Sequence, residues 1–203
     1  MQAAAQEATI LPEIGQAYGG GFVSGFYLQD GKRYVSITAG AEHELVGEWG
    51  EYGVKIEGAD SLTDSRANTE AMAASGSELA QKVLALEIGG HSDWAIPARD
   101  VQELQYRNLK PTTDKNYACG CDGENHSSLP PGDLYSEESP AQTSVEAFKA
   151  GGAEAFRPNW YWSSTQRSAY FAFGLDFNDG YQGFSVVKDS GLRVRPVRSE
   201  IIQ

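Results

Sequence analysis

The tightest constraint on this chain lies at residues 171–177, where Phe171, Phe173, Leu175 and Phe177 alternate with Ala172, Gly174 and Asp176. Successive side chains of a strand leave opposite faces, so this period of two demands a strand with one buried and one open face. Its neighbours are of the same kind. Tyr161-Trp162-Ser163-Ser164-Thr165 reads as a short strand before it, and Asn178-Asp179-Gly180 is a turn after it. Residues 181–187 then return, and residues 192–197 supply a closing strand. The expectation is an antiparallel sheet with the odd-numbered residues from Phe171 to Phe177 in the core.

The first half is organised differently. In residues 22–39, Asp30-Gly31 lies between two aromatic and β-branched runs. That pair suits a two-residue type I′ turn, whose central residues both need positive φ. A hairpin follows, with Phe22, Phe26 and Leu28 on one face and Val35 and Ile37 sharing a face of the partner. Residues 40–58 read as a long connection with at most a short strand. Three helices come next. The first is capped by Asp60 or Ser61 and carries Ala67, Ala71, Met72 and Ala74. The second spans about residues 77–86, with Leu79, Val83 and Leu86 at helical spacing, and the third spans about residues 98–108, burying Val101, Leu104 and Leu109. A long proline-bearing loop fills residues 110–140, and residues 145–156 hold a short helical piece. The order of hairpin, helices and then strands defines an α+β fold. Residues 1–18 read as an arm, with Gly19-Gly20-Gly21 as a hinge to a domain of residues 19–203.

A formal net charge of −12 argues against nucleic-acid binding, which needs clustered lysine and arginine. The charge is uneven. Residues 160–203 carry five basic groups (Arg167, Lys188, Arg193, Arg195 and Arg198) against four acidic ones (Asp176, Asp179, Asp189 and Glu200). No segment approaches the ~20 apolar residues of a membrane helix, and the N-terminal residues lack the basic and apolar regions of a secretory signal. Cys119 and Cys121 are too close for an unstrained disulfide and read as free loop thiols.

Trp94-x-x-Pro97 before a helix, Tyr161-Trp162-Ser163-Ser164-Thr165, Phe177-Asn178-Asp179-Gly180 and Arg193-Val194-Arg195-Pro196-Val197-Arg198 stand in this order. Together they resemble the Legionella collagen-like (Lcl) C-terminal domain family of bacterial surface proteins, phages and prophages. The hairpin and residues 106–113 resemble the phage and prophage members in particular. The resemblance runs from about Gly19 to Arg198. It implies a C-type-lectin-like fold, often trimeric, used for recognition in tail receptor-binding proteins and adhesins. It also implies binding residues on the C-terminal strands. The Glu-Pro-Asn, Gln-Pro-Asp and Trp-Asn-Asp signatures of calcium-dependent lectins are missing, so neither a metal nor another cofactor is expected.

Several residues offer competing readings. Trp94, Trp160 and Trp162 read as core. Ser163-Ser164-Thr165 lacks a nucleophile elbow and any downstream histidine, so its hydroxyls read as partners of turns and ladders, not as catalysts. Arg193, Arg195 and Arg198 read as partners of carboxylates before they read as an anion site. Asp122, Glu124 and Asn125 are weakly calcium-like, without the spacing of an EF-hand loop. The ligand-binding candidates are Arg167, Tyr170, Asp176, Asn178, Asp179, Tyr181, Gln182, Ser185 and Lys188, on the open side of the last strands and in their turns.

The function expected is that of a phage or prophage tail-tip receptor-binding protein, not an enzyme. Its partners would be a host-surface polysaccharide or protein and, through residues 1–18, other tail proteins. Assembly as a homotrimer in the virion is expected, with no nucleic acid and no membrane insertion. A bacterial surface adhesin or polymer-binding module is the alternative. A formylglycine-generating type of enzyme, with Cys119 or Cys121 reactive, is the third.

Overall fold

The structure, a computed structural model, describes residues 11–118 and 124–202. Its elements are β1 (Ala17–Tyr18), β2 (Gly21–Gln29), β3 (Lys32–Thr38), β4 (Leu45–Glu48), α1 (Ser65–Ala74), α2 (Glu78–Leu84), α3 (Arg99–Leu109), β5 (Trp160–Gln166), β6 (Phe171–Asp176), β7 (Gln182–Val187), β8 (Gly191–Val194) and β9 (Val197–Ile202). The architecture is mixed α+β, with two sheets ordered β1-β2-β3-β9 and β4-β8-β5-β6-β7.

Asp30-Gly31 forms the expected hairpin turn, with φ of 49° and 72° and Gln29 opposite Lys32. The faces differ from expectation, because β2 carries a register shift between Val23 and Gly25. One inserted residue exchanges the two faces beyond it. Tyr27 is therefore buried and Leu28 is 39 % exposed. Val35 and Ile37 share a buried cluster as expected.

Gly19-Gly20-Gly21 is no hinge. Tyr18 pairs with Gly21, and Gly19 and Gly20 turn the chain at φ of 54° and 84°. Gly15 donates its N–H to Val23, and Val23 returns one to Gln16, so residues 15 and 16 are tied to β2 just before β1. Ile14 packs on two core clusters. Residues 1–10 lie outside the described residues.

The helices fall close to their expected places. α1 is capped by Asp64, whose carboxylate accepts from Ala67 N at 2.9 Å, and not by Asp60 or Ser61. Ser61 instead stitches the preceding turn by accepting from Asp64 N at 2.8 Å. Ser77 caps α2 through Ala80 N. α3 has Ala98 as its N-cap, with Pro97 just outside, and it is buried almost all round because it lies between the sheets. Val101 and Leu104 meet Tyr27 and Val197 of the first sheet, whereas Tyr106 and Leu109 meet Tyr161, Leu175 and Phe177 of the second. The amide nitrogens of its buried glutamines find backbone and hydroxyl acceptors: Gln102 donates to Tyr161 O at 3.0 Å and Gln105 to Thr38 Oγ1 at 2.8 Å, while Gln102 Oε1 has no partner among the described residues. In the segment expected to be helical near Phe156, the only helical structure is one 3-10 turn, Glu146–Phe148.

The C-terminal region departs most from the expected sheet. The closing strand divides in two. β8 ends at Val194 and pairs with β4 and, at one parallel bridge, with β5; β9 crosses to the first sheet beside β3. Arg195-Pro196 makes the crossing, where Pro196 has no N–H for a ladder and its carbonyl accepts from Ala39 N at 2.8 Å. The one-sided burial expected of β6 is not found. β6 itself runs regularly, and its partners carry the extra residues, β7 between Gly183 and Val186 and β5 between Trp162 and Gln166. Ala172 packs in one buried cluster with Trp162 and Leu175 in another with Tyr161, so both faces of the strand are covered, while Phe171 and Phe173 are only half-buried. The core residues of β6 and its turn are thus Ala172, Leu175 and Phe177, which corrects the assignment of Phe171 and Phe173.

Candidate binding face

The second sheet ends in the edge strand β7, and the turns at the two ends of β6 hold most of the expected ligand-binding residues. At the β6–β7 turn, Asp176 Oδ1 accepts from Asn178 N and Asp179 Oδ1 accepts from Tyr181 N, each at 2.9 Å. These Asx turns fix a tight reversal that Gly180 completes at φ 80°. A Cβ on Gly180 would come within 2.5 Å of the Tyr106 ring, so glycine is also a steric need there. Burial, with the charge of Asp179 adding to it, raises the pKa of Asp176 against the opposing Asn178 N–H. Tyr181 stands edge-on to Trp160 at 5.8 Å and to Tyr117 at 4.7 Å between ring centres.

At the β5–β6 turn, Ser168 Oγ accepts from Tyr170 N and Phe171 N and holds Tyr170 outward. Tyr170 is 48 % exposed and packs against Tyr52, itself 52 % exposed, at 5.1 Å. The Arg167 guanidinium lies 4.6 Å from the centre of the Phe184 ring, which is 42 % exposed. Ser185 beside it is exposed. A strand of this length separates the two ends by about 17 Å at ~3.3 Å per residue, so the expected residues form two aromatic stations on one ribbon.

Two of the nine expected residues are not displayed. Gln182 is 7 % exposed and Lys188 is fully buried. Lys188 Nζ donates to Val54 O at 2.8 Å and to Gln166 Oε1 at 3.0 Å, beneath Trp49. In sequence Lys188 reads as a turn lysine, because the Trp49 segment that covers it comes from the far side of the helices. Trp160 is half-exposed where core was expected, whereas Trp94 and Trp162 are fully buried as expected. Periodicity missed the exposed rings Tyr52, Tyr117 and Phe184. Phe184 carries one local signal, its place between Gly183 and Ser185 in a strand with few other large side chains.

The remaining candidates are absorbed by the fold. Ser163, Ser164 and Thr165 are buried where β5 steps out of the β6 ladder. Ser163 Oγ donates to Phe173 O at 3.1 Å, Asn68 Nδ2 reaches Ser164 Oγ at 3.3 Å, and Thr165 Oγ1 donates to Ser61 O at 2.7 Å. Arg193 and Arg195 pair with Glu44, and Arg198 pairs with Asp93 and Glu200. Asn125 spends its amide on Asp100 O and Glu103 and its oxygen on Ser127 N and Ser128 N. Glu124 meets His126 at 2.9 Å. Cys119, Cys121 and Asp122 lie outside the described residues. Among the described residues no group of three or more His, Cys, Asp or Glu could hold a metal, and no helix is long and apolar enough to cross a membrane.

Fold and face together define a class: an α+β domain presenting exposed aromatic rings, one arginine and turn polar groups along an edge ribbon. No family model, curated protein or solved structure matches the chain.

Proposed function

We propose that this chain is the receptor-binding module of a phage or prophage tail, with a C-type-lectin-like fold, recognising a host-surface polysaccharide or protein. The observation that carries the reading is the pair of exposed aromatic stations, Tyr52 with Tyr170 beside Arg167 and Phe184, and Tyr117 with Tyr181 and Trp160. Tyrosine and tryptophan offer large contact area at low entropy cost, and arginine adds hydrogen bonds to the same surface. The rings stand on a braced sheet, so little ordering is needed on binding. The pairing of β9 with the N-terminal hairpin, which brings the first and last strands into one sheet, supports the C-type-lectin-like reading. The reading is of a binding protein, not an enzyme, acting as a homotrimer in the virion and attached to other tail proteins through its N-terminal residues.

Labelled full-length protein, incubated with cells of the bacterium that hosts the gene, tests this. Saturable binding that falls at least tenfold in Tyr170→Ala and in Arg167→Ala, and purified protein that blocks infection, are the expected results. Unchanged infection in the presence of saturating protein would sink the tail assignment. Binding retained without any effect on infection would favour the surface-adhesin alternative.

A further inference from the structure

A cleft of about 530 Å³ opens beside the end of β8 and the segment before β5, with Arg157, Arg193 and Arg195 in its lining and Glu44 as the only lining carboxylate. In a chain of net charge −12, that concentration of guanidinium groups is a local inversion of sign. The frame is rigid. Glu44 accepts from Arg193 Nη1 at 2.6 Å, Arg195 Nη2 at 3.1 Å and Tyr161 OH at 2.8 Å. Arg195 is further fixed by donating to Glu154 O at 3.3 Å and by lying 4.5 Å from the Phe156 ring centre. Glu154 is not among the lining residues, and its carboxylate accepts from Ala41 N at 2.7 Å.

Two arginines keep donors in reserve. Arg193, partly exposed, uses only Nη1 on Glu44. Arg157 is exposed, and among the described residues its guanidinium has no partner, while its backbone N donates to Tyr161 OH at 3.0 Å and anchors it at the rim. Gly151 is also in the lining, and a Cβ there would meet nothing within 4 Å. The cleft volume lies within the range of small-molecule sites.

We propose that this cleft binds a small carboxylate-bearing molecule, held by the free donors of Arg157 and Arg193 on the frame built by Glu44, Arg195 and Tyr161. A planar carboxylate matches the parallel N–H pair of a guanidinium. This inference is independent of the receptor reading, since none of these residues belongs to the aromatic stations.

Calorimetric titration of the full chain with glucuronate, with glucose and inorganic phosphate as comparisons, tests the site. Saturable glucuronate binding is expected, weakened by added salt and by at least tenfold in Arg157→Ala. Because Arg193 also braces Glu44, the second variant is Ala153→Trp, which fills the cleft from an exposed lining position and should abolish binding with an unchanged melting temperature. Tyr170→Ala should leave glucuronate binding intact. No saturable binding, equal binding of glucose, phosphate bound as tightly as glucuronate, or full binding by Arg157→Ala would each overturn the proposal.

Discussion

Lys188 Nζ lies 4.4 Å from the centre of the Trp49 ring, and among the described residues no carboxylate pairs with it. Its charge is met only by Val54 O, Gln166 Oε1 and the indole face. Burial pushes its pKa down from 10.5 to about 8. Between those two values the unfolded chain binds a proton that the folded chain does not, so this lysine makes stability rise as pH increases from about 8 to 10.5. The effect is on the order of 2–4 kcal/mol, at ~1.4 kcal/mol per pH unit. Urea unfolding of wild type and Lys188→Met across that window checks it. The stability advantage of the variant should shrink as pH rises. Comparing the two proteins cancels the opposing contribution of tyrosines such as Tyr27, whose pKa burial raises to about 12.

Gly183 is close-packed under Trp160. A Cβ there would come within 2.7 Å of the indole, so Gly183→Ala should displace the ring outward. A cost of about 1–2 kcal/mol is expected, since a half-exposed ring can yield. Trp160 is the one partly exposed tryptophan, Trp49, Trp94 and Trp162 being fully buried. Acrylamide quenching should therefore increase in the variant, and an unchanged quenching constant would count against the contact.

Glu103 is fully buried on α3 and accepts from Arg107 Nε at 2.7 Å, Asn125 Nδ2 at 2.7 Å and Tyr135 OH at 2.8 Å. It ties the helix to the segments that carry Asn125 and Tyr135. Glu103→Ala strands these donors and should cost about 3–5 kcal/mol, whereas Glu103→Gln, which keeps an acceptor, should cost less. Limited proteolysis should cut residues 124–135 faster in the alanine variant, and equal protection would remove the tether.

Asp64→Ala removes the side-chain cap of α1, because only the Asp64 carboxylate meets Ala67 N. The expected loss is about 0.5–2 kcal/mol, and Asp64→Asn should recover most of it. Thermal unfolding read by far-UV circular dichroism measures both.

Local chemistry made several elements legible. Asp30-Gly31 is one of few dipeptides at ease with two positive φ values, and the hairpin forms there. Leu79 and Val83 at helical spacing mark α2, and Phe171 to Asp176 mark a strand. The turn at Asn178-Asp179-Gly180 follows from side chains that bond their own backbone. The exposed candidates Arg167, Tyr170, Asn178 and Ser185 were found in the same way.

By itself, then, the sequence determined the Asp30-Gly31 hairpin, the three helices and the strand–turn–strand of residues 171–187, because those preferences arise within a few residues. Tertiary structure alone decided which face each strand buries and which distant groups meet. Packed clusters on both sides of β6 bury Ala172 and Leu175 and leave Phe171 and Phe173 half-buried, and a period-two pattern carries no mark of what covers each face. Pro196 sends β9 to the first sheet, and Trp49, which precedes all three helices in the chain, closes over Lys188. The convergence of Arg193 and Arg195 on Glu44 likewise needs β4 and β8 side by side. Burial and pairing are properties of the whole packing arrangement, so residues far apart in the chain set them together.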